Sequence, residues 1–163
     1  MMTDETEQRL DGLATELALA GLFVEAGWNV YSPQRDVGID FIATKPVRGQ
    51  LVIRPVQIKG CHWRSRKDSS EYGKRGIELS EIHPEMALVL AFYYQGDLAL
   101  RPVYVAFLPF AQLVRQPAGT FRCEPACIRR GRVSPRREFA RYFGSPGIRL
   151  MQLPEWPLMR VRR

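Results

Sequence analysis

The residues whose types could do chemistry are an aspartate, a glutamine and a lysine on two neighbouring strand-like segments. Asp40 stands at the start of one apolar segment, and Gln57 and Lys59 stand two residues apart near the end of the next. Because side chains alternate along a strand, Gln57 and Lys59 share one face, while Val56 and Ile58 point to the other, predicted core face. If the two segments pair through the short turn between them, Asp40 lies beside Gln57 and Lys59.

This set of groups suits phosphodiester hydrolysis. Mg²⁺ prefers hard oxygen ligands, polarises a bound phosphate and helps to generate hydroxide from water. We expect Asp40 to be the main ligand of Mg²⁺ (or Mn²⁺), with the Gln57 side-chain oxygen and the Ile58 backbone carbonyl as further ligands. Lys59 would orient the attacking water and offset charge on the phosphate. Glu16, on the preceding helix, would bind a second metal ion or a metal-bound water.

Glu16 belongs to a segment with helical spacing, which Gly27 is suited to end. The predicted buried stripe of this helix consists of Leu10, Leu13, Leu17, Gly21 and Val24. Glu16 lies about 100° around the helix from Leu17, at the edge of that stripe. Its carboxylate can therefore lean over whatever packs against the helix.

The helix is followed by apolar segments that predict strands. Three with short connections favour an antiparallel meander: Trp28–Tyr31, Ile39–Thr44 and Leu51–Lys59. Two more are predicted to be buried strands: Met86–Tyr94 and Val103–Leu108. Pro55 places the first half of the third strand at a sheet edge or a bulge. The pattern predicts an α/β fold, with a mixed sheet of four or five strands flanked by helices.

The charge of the chain favours a phosphate polymer as partner. The formal net charge is +7 and the pI about 9.7, and each neutralised phosphate releases counterions. A polar, basic loop directly follows Lys59, at the rim of the predicted site. We expect its cations and one aromatic ring to contact DNA: Trp63, Arg64, Arg66, Lys67, Lys74 and Arg75. The alternative for this loop is a disordered surface segment.

The composition changes near residue 118, after which eleven arginines occur among several prolines and glycines. We therefore divide the chain into a domain at residues 1–117 and a basic extension at residues 118–163. The extension either packs on the domain or trails away from it. Its arginines would follow a second stretch of nucleic-acid backbone, form a solvated tail, or bind a partner protein.

Other features point to a cytoplasmic protein without a membrane partner. No apolar run reaches the roughly 20 residues that span a bilayer, and the acidic start is unlike a signal peptide. The three cysteines, Cys61, Cys123 and Cys127, fit a reducing compartment better than a disulfide framework. With His62 they suggest zinc, but they lack the close C-x₂-C spacing of common zinc sites, so idle thiols are the default expectation.

A family resemblance is carried by the stretch GLATELALAGLFVEAGWNVYSPQRDVGIDFIA…LVIRPVQIKG. It resembles the core of the PD-(D/E)XK nuclease superfamily, in particular the branches of archaeal Holliday-junction resolvases and Mrr-type restriction endonucleases. There a helix with a glutamate precedes a G-aromatic-x-V strand, an aspartate strand and an acid-x-lysine strand. The resemblance covers about residues 12–60 and extends loosely to the strands near 86–108. It implies a restriction-endonuclease-like α-β-β-β-α-β core, the roles given above for Glu16, Asp40, Gln57 and Lys59, and a plausible homodimer.

The sequence departs from this family at Gln57, where an aspartate or glutamate is usual, although the Mrr-like branch also carries glutamine. A neutral amide is a weaker ligand for a hard cation than a carboxylate. The leading expectation is a metal-dependent endonuclease acting on DNA in repair, recombination or restriction. The alternatives are a DNA-binding protein on the same fold without cleavage, and a protein-interaction module with a basic tail. Phosphate contacts alone do not distinguish RNA from DNA.

Overall fold

A computed structural model describes residues 4–35, 38–61, 77, 79, 83–94, 101–130 and 132–161, with side chains from residue 12 onward. These residues form an α/β fold around one mixed sheet, as predicted. The α-helices are α1 (Asp4–Glu25) and α2 (Gly144–Leu150). The strands of the sheet are β1 (Asn29–Tyr31), β2 (Phe41–Val47), β3 (Gln50–Cys61), β4 (Ala87–Phe92) and β5 (Tyr104–Pro109). Two separate hairpins pair β6 (Val114–Arg115) with β7 (Phe121–Arg122), and β8 (Ala126–Arg129) with β9 (Arg132–Pro135). None of the helices described here combines the length and apolar composition that a membrane crossing requires.

The five strands lie in sequence order, and only β3 and β4 are parallel. The predicted meander of β1, β2 and β3 is confirmed. β2 runs past its predicted end at Lys45-Pro46 to Val47, because the turn into β3 has only two residues, Arg48 and Gly49. Both have positive φ, 49° and 81°, the arrangement whose twist matches that of the flanking strands.

β3 is the central strand, but its two halves have different neighbours. Its first half pairs with β2 alone, and β4 joins it only from Val56 onward. Pro55 is the last residue of the half that has a single neighbour, so its missing N–H faces a side that β4 does not reach. The expectation of an edge position for Pro55 is therefore confirmed.

α1 buries a different face from the one predicted. The predicted stripe is wrong, because Leu13, Leu17 and Val24 are 53%, 65% and 60% exposed. The buried side chains on the sheet-facing side are Thr15, Leu19 and Phe23. α1 carries apolar residues on both sides, so helical spacing alone offered two possible stripes.

The aromatic residues beyond the helix decide which side of α1 packs on the sheet. Phe23 makes edge-to-face contacts with Trp28, Phe41 and Phe107, at ring-centroid distances of 5.1 to 6.1 Å. Gly27, at φ 80°, ends the helix as predicted. The amides of Gly27 and Trp28 return to carbonyls of the last helical turn, which turns Trp28 under the helix.

The arginine-rich segment packs on both faces of the sheet. On the face that carries α1, called the helix face, it contributes Ile148, Met151 and Trp156 to the core. On the opposite face, called the hairpin face, it contributes Cys123, Ala126, Val133, Tyr142 and Phe143. Of the two alternatives for this segment, packing is therefore the one observed for its described residues.

A buried arginine fastens that segment to the sheet. Arg54 on β3 is 4% exposed. Its Nε and Nη2 donate to the carbonyls of Met151 and Leu153, both at 3.1 Å, and its Nη1 pairs with the Glu85 carboxylate. The guanidinium carbon lies 5.4 Å from the ring centroid of Trp156. Burial lowers the pKa of Arg54, and the Glu85 carboxylate partly offsets that effect.

Replacing this guanidinium should destabilise the whole fold. Arg54→Met leaves two carbonyls and a carboxylate without their donor, and we expect the free energy of unfolding to fall by about 3 kcal/mol or more. Arg54→Lys keeps the charge but loses the forked geometry, so it should fall between that variant and the wild type. Denaturant unfolding measures both, with the exposed Arg48→Met as control. A loss below about 1 kcal/mol for Arg54→Met would contradict the anchoring role.

Candidate active site

The candidate site lies where β2 separates from β3. The Asp40 N–H donates to the Val56 carbonyl at 2.9 Å, at the end of the backbone ladder between the two strands. Beyond it the Asp40 carboxylate accepts the N–H of Ile58. A side chain thus replaces the next backbone acceptor of the ladder. These two contacts flank Gln57 on β3, so Asp40 lies beside Gln57 as the sequence predicts.

The Ile58 carbonyl joins the Asp40 carboxylate at this point. Within a strand, the N–H and C=O of one residue point to the same side. Because the Ile58 N–H points to Asp40, the Ile58 carbonyl opens to the same gap between β2 and β3. A carboxylate has about four acceptor positions, so accepting the Ile58 N–H does not by itself use up its capacity to bind a cation.

Gln57 supplies a third oxygen, in an unusual state. Its side chain is 3% exposed, and Oε1 is buried with no hydrogen-bond partner in the described part of the chain. A buried polar atom without a partner costs about 1 to 3 kcal/mol. A bound cation, or a donor on a ligand, would remove that cost. Sequence reasoning gave the face of Gln57 but not its burial or its unpaired oxygen.

Lys59 and Glu16 approach the sheet from different sides. Lys59 is half-buried and pairs with Leu90, so by strand alternation it shares the hairpin face with Gln57. Glu16 is half-buried on α1, which packs on the helix face. The preceding residue, Thr15, is hydrogen-bonded to the Tyr93 hydroxyl at 2.9 Å, which fixes this turn of α1 near the carboxyl end of β4. The structure groups Asp40, Gln57, Ile58 and Lys59 on one strand pair, with Glu16 on a separate element.

The donor set consists of oxygen atoms. It comprises the Asp40 carboxylate, the Gln57 amide oxygen and the Ile58 carbonyl. Such hard ligands fit Mg²⁺ or Mn²⁺ better than zinc. No group of three or more His, Cys, Asp or Glu that could hold a metal occurs within the described ranges, so the fit rests on amide and backbone oxygens as well as carboxylates.

Two basic segments of the chain bear on nucleic-acid binding. The predicted DNA-contacting residues Trp63, Arg64, Arg66, Lys67, Lys74 and Arg75 lie outside the described residues. A second element, which the sequence analysis did not single out, is the tip of the β8–β9 hairpin. The signal that could have found it is the run Arg-Arg-Gly-Arg at 129–132, a turn-like sequence between two short alternating segments.

Searches against models of known protein families and against curated proteins found no match to this chain.

The cysteines are not among the oxygen donors, although Cys61 lies two residues after Lys59 on β3 and its thiol contacts the Lys59 carbonyl at 4.0 Å. Cys61, Cys123 and Cys127 are free thiols, and His62 lies outside the described residues. Burial raises the pKa of Cys61 and of Cys123 to about 12, and the Glu124 carboxylate adds to the effect at Cys123. Zinc binds thiolates, whereas these environments favour neutral thiols.

The raised pKa of Cys123 predicts low reactivity in the folded protein. At pH 8.5 an unfolded thiol is about half ionised, so iodoacetamide should modify native Cys123 at least about a hundredfold more slowly than the urea-unfolded chain. Because the folded pKa is the higher one, the associated stability is present below pH 8 and is lost as the pH rises toward 12. Peptide mass spectrometry after timed labelling gives the rates. Equal rates in folded and unfolded protein would contradict the burial.

Proposed function

We propose that this protein is a metal-dependent endonuclease that hydrolyses phosphodiester bonds in DNA. The observation that carries the proposal is the Asp40 carboxylate, held by the Ile58 N–H next to a buried, unpaired Gln57 oxygen. These groups come from Asp40 and from two successive residues of β3, where the two strands separate. A lysine, Lys59, follows on the same face of β3.

The element order supports the family resemblance. A helix with Glu16 precedes three antiparallel strands, and Asp40 directly precedes the second of them. Gln57 and Lys59 lie on the third, which pairs in parallel with β4. This order is compatible with a restriction-endonuclease-like core, and we include that fold family in the proposal. Members with glutamine at the second acidic position make the Gln57 variant consistent with it.

The residues have distinct roles in this proposal. Asp40, the Gln57 oxygen and the Ile58 carbonyl would hold Mg²⁺ or Mn²⁺, with Glu16 holding a second ion or an ion-bound water. The bound ion would polarise the phosphate and acidify a water molecule. Lys59 would donate to the attacking water or to a phosphate oxygen, offsetting the charge that develops there. The water oxygen bonds to phosphorus, one P–O ester bond breaks, and the leaving oxygen takes up a proton.

DNA is the substrate that the charge favours. The chain carries a net charge of +7, and cationic surfaces bind phosphate backbones through counterion release. A second candidate function is DNA binding without cleavage. It is favoured by one observation, the neutral Gln57 side chain where the family usually has a carboxylate, which lowers the affinity for a hard cation.

Cleavage assays separate the two candidates. Supercoiled, linear, single-stranded and branched DNAs are incubated with Mg²⁺, Mn²⁺ or EDTA. We expect metal-dependent products from the wild type and a loss of about 100-fold or more in Asp40→Ala. Asp40→Asn keeps an acceptor for the Ile58 N–H, so it should be folded and inactive, while the exposed Glu25→Ala serves as an active control. Salt-sensitive binding without product would establish the second function, and neither product nor binding would remove both.

Substituting Gln57 by glutamate tests metal binding without an activity readout. The buried carboxylate of Gln57→Glu should destabilise the metal-free protein, and Mg²⁺ or Mn²⁺ should restore several degrees of Tm because the ion binds the folded state. The half-saturating metal concentration should fall about tenfold or more relative to the wild type.

A matched control is available in the same fold. Gln112 is also buried, at 8% exposure, and its side chain is hydrogen-bonded to Tyr142 and Met159, away from the strand separation at Asp40. Gln112→Glu should lose stability without rescue by metal. Equal metal rescue of the two variants, or none in Gln57→Glu, would remove Gln57 from the metal site.

A further inference from the structure

The tip of the β8–β9 hairpin concentrates positive charge. Arg129 and Arg132 are directly opposite each other across the two strands, and Arg130 lies in the turn between them. All three are exposed. Within the described ranges none of them forms an ion pair with an acidic residue, whereas Arg122 and Arg136 both pair with Glu124.

This arrangement works against the stability of the hairpin. Like charges directly opposite each other on paired strands repel. Arg130 has a φ of 52°, close to the 49° of Arg48 in the β2–β3 turn, as a two-residue hairpin turn requires. A local repulsion of this kind, without a compensating internal contact, is characteristic of functional positions.

The base of the hairpin packs on the face of the sheet to which Gln57 and Lys59 belong. Ala126 and Val133 are buried on the hairpin face together with Leu88 and Leu90. Leu88 and Leu90 lie on β4, where they pair with Gln57 and Lys59 of β3, respectively. The hairpin therefore rises from the same face of the sheet to which the side chains of the site belong.

The positive charge of the chain is concentrated in the segment that contains this hairpin. Residues 118–163 contain eleven of the 24 lysines and arginines but only three of the 17 acidic residues. The rest of the chain is close to neutral. A net charge that sits almost entirely on one segment suits a polyanion that contacts that segment.

We propose that the β8–β9 hairpin is an arm that binds backbone phosphates of duplex DNA next to the site. The inference deepens the proposed function and rests on it for the identity of the nucleic acid. Three guanidinium groups within four residues match closely spaced phosphates, which are one charge per roughly 3.4 Å of helix axis on each strand. Such contacts position the duplex without reading its sequence.

The test compares two triple variants that lose the same charge. The hairpin variant is Arg129→Gln/Arg130→Gln/Arg132→Gln. The control changes three exposed arginines elsewhere, Arg48→Gln/Arg101→Gln/Arg149→Gln. Binding to a labelled duplex is followed by fluorescence anisotropy in EDTA at several salt concentrations, so that cleavage does not contribute. Thermal unfolding is measured alongside, because the hairpin variant relieves the repulsion between Arg129 and Arg132 and should not lower Tm.

We expect the hairpin variant to bind at least about tenfold more weakly at 0.1 M salt, with a log–log salt slope smaller by about 2 to 3. The control should stay within about threefold of the wild type. Unchanged binding by the hairpin variant, or equal weakening of both triples, would overturn the arm. Binding that depends on the hairpin in a chain that never cleaves DNA would keep the arm and remove the nuclease. Cleavage by a chain whose DNA binding does not depend on the hairpin would keep the nuclease and remove the arm.

Discussion

The buried guanidinium of Arg54 is the interaction on which the architecture depends. It satisfies the carbonyls of Met151 and Leu153 and pairs with Glu85, just before β4. One side chain of β3 therefore ties together the central strand, the approach to β4 and the carboxyl-terminal segment. A planar group with five donors can make these bonds at once, whereas an apolar residue in its place would leave buried carbonyls unpaired.

The candidate site follows from a second constraint on the same strand. β3 pairs with β2 along its first half and with β4 along its second, so its two neighbours overlap only near Val56. Just beyond that point β2 leaves, and the ladder would expose the Ile58 N–H and C=O. Asp40 covers the N–H with its carboxylate, and the carbonyl points to the same side of β3. The end of one strand pairing thereby leaves Asp40 beside Gln57 and Ile58.

The carboxyl-terminal segment connects this site to the charge of the chain. Its apolar residues cover both faces of the sheet, while its described arginines remain at the surface, where Arg122 and Arg136 pair with Glu124. One segment thus supplies both buried apolar residues and surface arginines. A polyanion held by these arginines would meet the hairpin face, to which Gln57 and Lys59 also belong.

Much of this could be predicted from the sequence, because it depends on local patterns. Strand alternation placed Gln57 and Lys59 on one face, the short turn at Arg48-Gly49 fixed the pairing of β2 with β3, and Gly27 marked the end of α1. Only the tertiary structure decided which side of α1 is buried, since both sides are apolar and the choice belongs to the aromatic residues that Phe23 meets. It also decided the packing of the arginine-rich segment and the burial of the Gln57 oxygen. Both arise from contacts between residues far apart in the chain, such as Arg54 with Met151, which local periodicity does not encode.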